Sequence, residues 1–310
     1  MREGGPEARA PHGSAWAATA GGVAAGDIHV AGPGIRLVAL DLDGVVYRGG
    51  VVLPGVGEAL KDVLRRGLDL RYVSNNSTAH RDTVSERLAG MGVPAGTERV
   101  LTSGFVAGRW LQTRLPKGAS VMVMGEKGLL RELREAGFAA YHVGDQDGDR
   151  PTPAAVVVGM DRGVSFDSLA RAQAAIMAGA LFVATNPDAT FPTPQGLVPG
   201  AGAIVAAVAT AAGREPVFMG KPGLALAETL KAITGIPSSQ TLFVGDRLST
   251  DIAMGRAAGM VTALVMTGVT SVADLETARA KGAAGRAGGN ALPDYVLVDL
   301  SELPALLDRL

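Results

Sequence analysis

LVALDLDGVVYRGG, residues 37–50, is the stretch on which the reading of this chain turns. An apolar run ends in two carboxylates, Asp41 and Asp43, with Leu42 between them. On a strand, residues two apart point the same way, so both acids share a side while Leu42 faces the other. Paired like charges are unfavourable unless a cation or a shared proton relieves them. Taken alone, the pattern also fits a strand entering a polar turn, where Asp and Gly are common.

Outward from this stretch, short β-rich runs alternate with helical patterns, which predicts parallel βαβ units. Strands are predicted at 35–40, in LDLRYVS (68–74) and in RVLTS (99–103). GEALKDVLRRG (57–67) predicts a helix with Ala59, Leu60, Val63 and Leu64 on one face and Gly67 closing it. A second helix is predicted from about Ala79, with Val84, Leu88 and Met91 on its apolar face. From about Lys117 to Glu215 the alternation repeats: ASVMVMG, AAVVVGM and ALFVAT as strands, and Lys127 to Ala136, Phe166 to Ala178 and Ala201 to Ala212 as helices. TLFVGD (241–246) and VTALVMT (261–267) then resume the first pattern. Residues 117–215 therefore read as an α/β domain inserted into a parallel-sheet α/β domain of 35–116 and 216–310. Crossovers of this kind place strand C-termini on one edge, where open α/β sheets bind ligands.

Composition narrows the chemistry. There are no cysteines, so disulfides, thiolate nucleophiles and zinc–thiolate sites are excluded, and the four histidines make a His-rich site a poor expectation. A net charge of -1 offers no basic field for nucleic acid or an anionic membrane, and aromatics at 4% provide no base-stacking platform. No run reaches the ~18 to 20 apolar residues of a spanning helix; GAGAIVAAVATAAG (200–213) reads as a buried helix. Residues 1–34, rich in Ala, Gly and Pro, read as a disordered extension, and a cytoplasmic protein is expected. DQDGDR (145–150) resembles the start of a calcium loop but has Arg150 and Val156 where glycine and glutamate are needed, so it reads as a solvated acidic turn.

Four polar clusters end the predicted core strands. The first is Asp41 and Asp43. The second is SNNS (74–77), whose hydroxyls, amides and following backbone N–H groups suit an anion; an N-cap at Ser77 or Thr78 is the plainer reading there. The third is Lys221 in GKP, where a lysine ahead of a helix opposes the macrodipole and wants an anionic partner. The fourth is GDRLSTD (245–251), with Asp246 at the strand end and Asp251 in the first helical turn. Acids favour such positions anyway, but Mg²⁺ takes few carboxylates of this kind and keeps waters or substrate oxygens. On one sheet edge, the four together match phosphoryl transfer: a nucleophile, a metal, and positive and hydrogen-bonding groups for the phosphoryl oxygens.

DLDGVVY, VSNNS, GKP and GDRLSTDI, in that order, resemble the four motifs of the haloacid dehalogenase-like (HAD) phosphohydrolases. ATNPD followed by PTPQGLVPGAGAI resembles a cap stretch of subfamily IIA, the branch of p-nitrophenyl phosphate, phosphoglycolate, glycerol-phosphate and pyridoxal-phosphate phosphatases. The resemblance runs from about residue 35 to 305. It implies a Rossmann-like core with an inserted C2-type cap, and a Mg²⁺-dependent phosphatase acting on small phosphorylated metabolites or nucleotides. Asp41 would be the nucleophile that forms an aspartyl-phosphate, and Asp43 the acid and then base. Asp41, the Asp43 carbonyl and Asp246 would hold Mg²⁺, with Asp251 in support. Gly44, Ser74, Asn75 and Lys221 would bind phosphate, while Asn186, Asp188 and Phe191 of the cap would face the leaving group. In this family the cap often mediates a homodimer. The rival from another class is a receiver-like binding module, which also uses a phosphoacceptor aspartate; the inserted segment and Asp43 argue against it.

Overall fold

In the computed structural model, which describes residues 34–145, 151–193, 196–283 and 292–310, the opening apolar run becomes β1 (Leu37–Asp41). Its first four residues are fully buried, so the strand reads as a continuous apolar run instead of an alternating one. Apart from Gly34 and Asp145, the extension expected over 1–34 and the acidic turn of 145–150 lie outside the described residues. A small hairpin of β2 (Tyr47–Arg48) and β3 (Val51–Val52) follows, then α1 (Val56–Arg65), which buries Val56, Ala59, Leu60 and Val63. β4 (Asp69–Ser74) is joined by α2 (Arg81–Gly90) to β5 (Val100–Thr102). α2 starts later than the predicted Ala79, and its cap is neither Ser77 nor Thr78. The Asn76 Oδ1 accepts from both N and Oγ1 of Thr78 at 2.8 and 2.7 Å, an Asx turn that keeps this segment out of the helix. His80 caps instead, its Nδ1 accepting from Asp82 N at 3.1 Å.

α3 (Ser103–Gln112) has no counterpart in the sequence reading, because Gly104 and Gly108 lower helix propensity there. The same glycines bring it close to the next helix. β6 (Ser120–Met124) leads into α4 (Lys127–Glu135), and a Cβ on Gly108 would stand 2.9 Å from that of Ala136. β7 (Ala139–His142), β8 (Ala155–Val158), α5 (Phe166–Met177) and β9 (Leu181–Ala184) come next. They are followed by the hairpin β10 (Thr190–Thr193) and β11 (Gly196–Pro199), α6 (Ala201–Ala212) and β12 (Val217–Phe218). The chain then continues through α7 (Ala225–Thr234), β13 (Thr241–Gly245), α8 (Ala253–Ala257) and β14 (Val261–Val265). It closes with α9 (Val272–Ala283), β15 (Tyr295–Leu297) and α10 (Leu303–Leu307).

Two parallel sheets result, with helices packed on them. One has the order β15-β14-β13-β1-β4-β5 and the other β12-β9-β8-β6-β7. The second sheet runs through Phe218, two residues into the segment expected to resume the first. Leu37, Ala39, Val73 and Leu101 of the first sheet share one buried apolar cluster with Val121, Val123, Val157 and Val183 of the second. Leu129 and Leu133 of α4 and Leu226 and Leu230 of α7 belong to the same cluster. Among the described residues, no helix is long and apolar enough to cross a membrane.

Candidate active site

β1 stands between β4, the next long strand in sequence, and β13, nearly two hundred residues away, so the strand order reverses at β1. Loops leaving the carboxyl ends of the strands diverge at such a point and open a crevice. Asp41 closes β1 there, Leu42 turns into the core at 1% exposure, and Asp43 is exposed. Gly44 follows with φ 83°, a left-handed conformation that a side chain would strain. A Cβ at this position would also lie 2.6 Å from Asp246 Oδ2. The Gly44 N–H donates to the Tyr47 carbonyl at 2.8 Å, closing the turn into the β2–β3 hairpin.

At the end of β4, Ser74 is buried and its Oγ accepts from Asn76 N at 3.2 Å, leaving its O–H free to donate. After β13, Asp246 is buried and its Oδ2 accepts from Val269 N at 2.7 Å. Asp251, 1% exposed, sits in a π-helical turn, Leu248–Ile252, and not in an ordinary first helical turn. Its Oδ2 accepts from the N–H groups of Asp246 and Arg247 at 3.2 and 3.0 Å. Such π turns recur at functional sites, where the extra residue re-aims a side chain.

The lysine arrives from elsewhere than expected. Val217 and Phe218 pair with Val183 and Ala184 of β9, so Lys221 follows the edge of the second sheet and not a strand of the first. A two-residue strand says nothing in sequence about which sheet it joins. Nor does Lys221 open a helix, since α7 begins at Ala225. It is nevertheless buried at 3% exposure, with Nζ 2.6 Å from Asp41 Oδ1 and 2.8 Å from Asp251 Oδ1.

Burial pushes the Asp41 carboxyl up to about 8; the charges of Asp251 and Asp246 add to the rise, and Lys221 opposes it. Asp246 is pushed up to about 6 by burial and by Asp251. Lys221, between two carboxylates, is held charged above its usual range despite the opposing cost of burial. One ammonium cannot neutralise three carboxylates, so the cluster retains excess negative charge. Asp43 is raised by partial burial, with Arg87 and Lys221 pulling it down.

The residues fit a divalent cation. Oxygens of Asp41, Asp246 and Asp251 converge within 4.8 Å of one another. They are hard carboxylate donors, and added positive charge would relieve their repulsion. Asp251 Oδ1 is buried, and although the Lys221 ammonium lies 2.8 Å away, no well-formed hydrogen bond reaches it. A second acid–histidine group, His80, Asp82 and Glu135, already holds a cation, because Arg131 pairs with both of its acids.

Raised carboxyl pKa values have a stability consequence. A carboxyl whose folded pKa exceeds its unfolded one favours folding while protonated and loses that contribution as pH rises through the folded value. With chelator present, the unfolding midpoint is therefore expected to fall between about pH 4 and 8. Added Mg²⁺ should raise it more at pH 8 than at pH 5, which thermal melts at the two pH values will check.

Asn75, expected among the phosphate ligands, has its side chain engaged: Nδ2 donates to Asp188 Oδ2 and to the Lys221 carbonyl, and Oδ1 accepts from Lys221 N. Of the residues expected to face a leaving group, Asn186 is buried and donates to the Asn75 carbonyl at 2.8 Å. Asp188 meets Asn75 and stands 3.6 Å from Arg247, while Phe191 lies half-buried on β10 opposite Val198. The sequence reading missed the loop after β14. Thr267 Oγ1 donates to the Gly44 carbonyl at 2.6 Å, and Val269 anchors Asp246. TGVT after VTALVM is a further polar cluster at a strand end and could have been read as such. It also missed Arg87 in the last turn of α2, whose charge acts on Asp43 and on the Tyr47 hydroxyl; a basic residue near a helix C-terminus is commonplace and carries no signal of this in sequence.

Comparison with known proteins fits this geometry. Residues 38–139 match the family model described as haloacid dehalogenase-like hydrolase, and 218–303 match that of HAD-hydrolase-like proteins. The acid sugar phosphatase of Staphylococcus aureus (strain USA300) is 34% identical over 270 residues, covering 87% of this chain and 97% of that protein. The p-nitrophenyl phosphatase from Archaeoglobus fulgidus superposes with a TM-score of 0.77 at 32% identity, covering 90% of this chain and 100% of its own. A glycerol phosphate phosphatase from Mycobacterium tuberculosis, solved in complex with magnesium, gives a TM-score of 0.75 at 35% identity over 88% of this chain and 78% of its own. The same phosphatase has also been solved with calcium.

Proposed function

Because the chain belongs to the haloacid dehalogenase-like hydrolases, in their subfamily IIA, we propose that it hydrolyses small phosphate monoesters with Mg²⁺ through an aspartyl-phosphate on Asp41. One observation carries the reading. At the point where the strand order reverses, Asp41 Oδ1 lies 2.6 Å from the buried Lys221 Nζ, with Asp246 and Asp251 oxygens converging beside it.

Asp41 attacks phosphorus in line, forming an oxygen–phosphorus bond as the ester oxygen leaves. Asp43 gives that oxygen its proton. Once the alcohol has gone, the same carboxylate takes a proton from water, which attacks the aspartyl-phosphate and frees phosphate and Asp41. Lys221 Nζ and the Ser74 hydroxyl hold the phosphoryl oxygens where negative charge gathers, while Gly44, expected among the phosphate ligands, has its N–H committed to the Tyr47 carbonyl and serves by letting the turn pass close to Asp246. Asp41, the Asp43 carbonyl and Asp246 would hold Mg²⁺, with Asp251 supporting through Lys221. When bound, the ion supplies positive charge to the phosphoryl oxygens and to the nucleophile's carboxylate. Residues 117–215 act in this reading as a cap that limits entry to small esters. Acid sugar, glycerol phosphate and p-nitrophenyl phosphatases among the relatives support a substrate of that size.

The test is turnover of p-nitrophenyl phosphate by the purified protein. Sustained hydrolysis is expected with Mg²⁺, lost on chelation and restored poorly by Ca²⁺, whose larger shell prefers more ligands. Absence of sustained turnover would favour a binding module. A panel of glycerol phosphate, sugar phosphates, phosphoglycolate, pyridoxal phosphate and nucleotides, ranked by kcat/KM, then identifies the substrate. Asp43→Asn should slow alkyl phosphates far more than p-nitrophenyl phosphate, since nitrophenolate needs little protonation to leave. Equal losses on both would remove the acid role.

A further inference from the structure

Asn75 is held from several directions at the end of β4. Its Nδ2 donates to the Lys221 carbonyl at 3.0 Å and to Asp188 Oδ2 at 3.1 Å, while its Oδ1 accepts from Lys221 N at 2.8 Å. A carboxamide has two N–H donors, and both are in use. The two bonds to Lys221 grip that residue's peptide groups, and so fix the base of the side chain that reaches Asp41. The grip depends on close approach at Gly220, where a Cβ would stand 2.5 Å from Asn75 Oδ1 and 2.6 Å from the Thr185 carbonyl.

Asp188 is a contact of a different kind. It lies in the loop between β9 and β10, in the part of the chain that carries the second sheet. Gly202 of α6 donates its N–H to the Asp188 carbonyl at 2.9 Å, and a Cβ on Gly202 would stand 2.2 Å from the Pro187 carbonyl oxygen. The loop is therefore clamped to the start of α6, and its carboxylate can reach Asn75 only while this layer is seated on the first sheet. A carboxylate accepts and never donates, so Asp188 can face only the NH₂ end of Asn75. That is the orientation the Lys221 peptide groups also require. The ion pair of Asp188 with Arg247, at 3.6 Å and with the arginine side chain 39% exposed, contributes less, as exposed pairs do.

We propose that Asp188 is a positioning residue for the catalytic lysine. Its carboxylate orients the Asn75 carboxamide, and the carboxamide holds Lys221 in register with Asp41. The kinetic consequence rests on the phosphatase reading; the structural coupling does not.

The experiment compares Asp188→Ala, Asp188→Asn and Arg247→Ala with wild type on p-nitrophenyl phosphate and glycerol phosphate. Asp188→Ala should lower kcat by about 10- to 100-fold, equally for both substrates, with KM changed less than about threefold. Asp188→Asn should recover most of that loss, because a carboxamide oxygen still accepts from Asn75. Arg247→Ala should cost less than Asp188→Ala. Adding Asp188→Ala to Asn75→Ala should cost little more than Asn75→Ala alone, as for two members of one chain of contacts. A loss in KM, a loss confined to one substrate, or additive losses would overturn the proposal and place Asp188 against the leaving group. Hydrogen exchange at the Lys221 amide provides a readout independent of turnover. It should speed up by more than about tenfold in Asp188→Ala if the Asn75 bond loosens. Unchanged exchange overturns the coupling whatever the rates. A wild type without turnover would instead defeat the phosphatase reading, and the exchange result would still decide this one.

Discussion

Asp41→Asn is expected to reduce turnover of p-nitrophenyl phosphate by about 10⁴-fold or more, the scale seen when a covalent nucleophile is removed. In the presence of chelator, its unfolding midpoint should stay level or rise. The two outcomes share one cause. Asp41 is largely buried beside Asp246 and Asp251 and pushed up to about 8, so its charge is unfavourable in the folded protein without a cation. Asparagine keeps the shape, and its Oδ1 can still accept from Lys221 Nζ, but it removes that charge and cannot attack phosphorus. Catalytic groups held under such repulsion commonly lower stability. Steady-state rates and thermal melts of the same preparations test both halves. Wild-type rates would displace Asp41 as nucleophile. A lowered midpoint would mean that the Asp41–Lys221 attraction outweighs repulsion among the acids.

What could be read in the sequence follows from the range of the interactions involved. The DLDG doublet was legible as a strand end, because an apolar run that stops at a carboxylate marks where β1 finishes at Asp41. α6 was legible over Ala201–Ala212 because an alanine-rich run, with its single glycine confined to the first turn, ends at Gly213, which adopts the left-handed conformation of a helix terminus. α3 was not, because its glycines are explained only by how closely α4 approaches. Lys221 was legible as a group seeking an anion, yet its sheet was misassigned, since β12 is defined by pairing with β9 and by nothing in its own two residues. Asn75 was read as a phosphate ligand from its motif. Its partners Asp188 and Lys221 lie 113 and 146 residues away, and only the folded chain brings them together. Local chemistry was therefore readable, while the partners of each polar group were set by tertiary contacts.

Lys221→Ala is the substitution for which the site's electrostatics foresee damage to both activity and stability. Activity should fall by about 10² to 10³ in kcat/KM, as when one preorganised charge stabilising the transition state is lost. The metal-free protein should also lose about 3–5 kcal/mol at pH 8, because truncating one member of a buried ion pair leaves its partners uncompensated. Here the partners are two, Asp41 and Asp251, with side chains 14% and 1% exposed. The sign of the pH dependence follows. Lys221 stays charged throughout this range, so the change with pH comes from the carboxyls. Without the ammonium the Asp41 and Asp246 carboxyls are pushed up further, and their protonation then relieves the repulsion as pH falls. The loss of stability should accordingly shrink between pH 8 and pH 5, and Mg²⁺ should restore more stability to the variant than to wild type. Chemical denaturation at the two pH values, with and without the ion, measures all of this. A loss equal at both pH values and indifferent to Mg²⁺ would mean that Lys221 acts by packing its aliphatic stem, and that the three carboxylates are not one electrostatic unit.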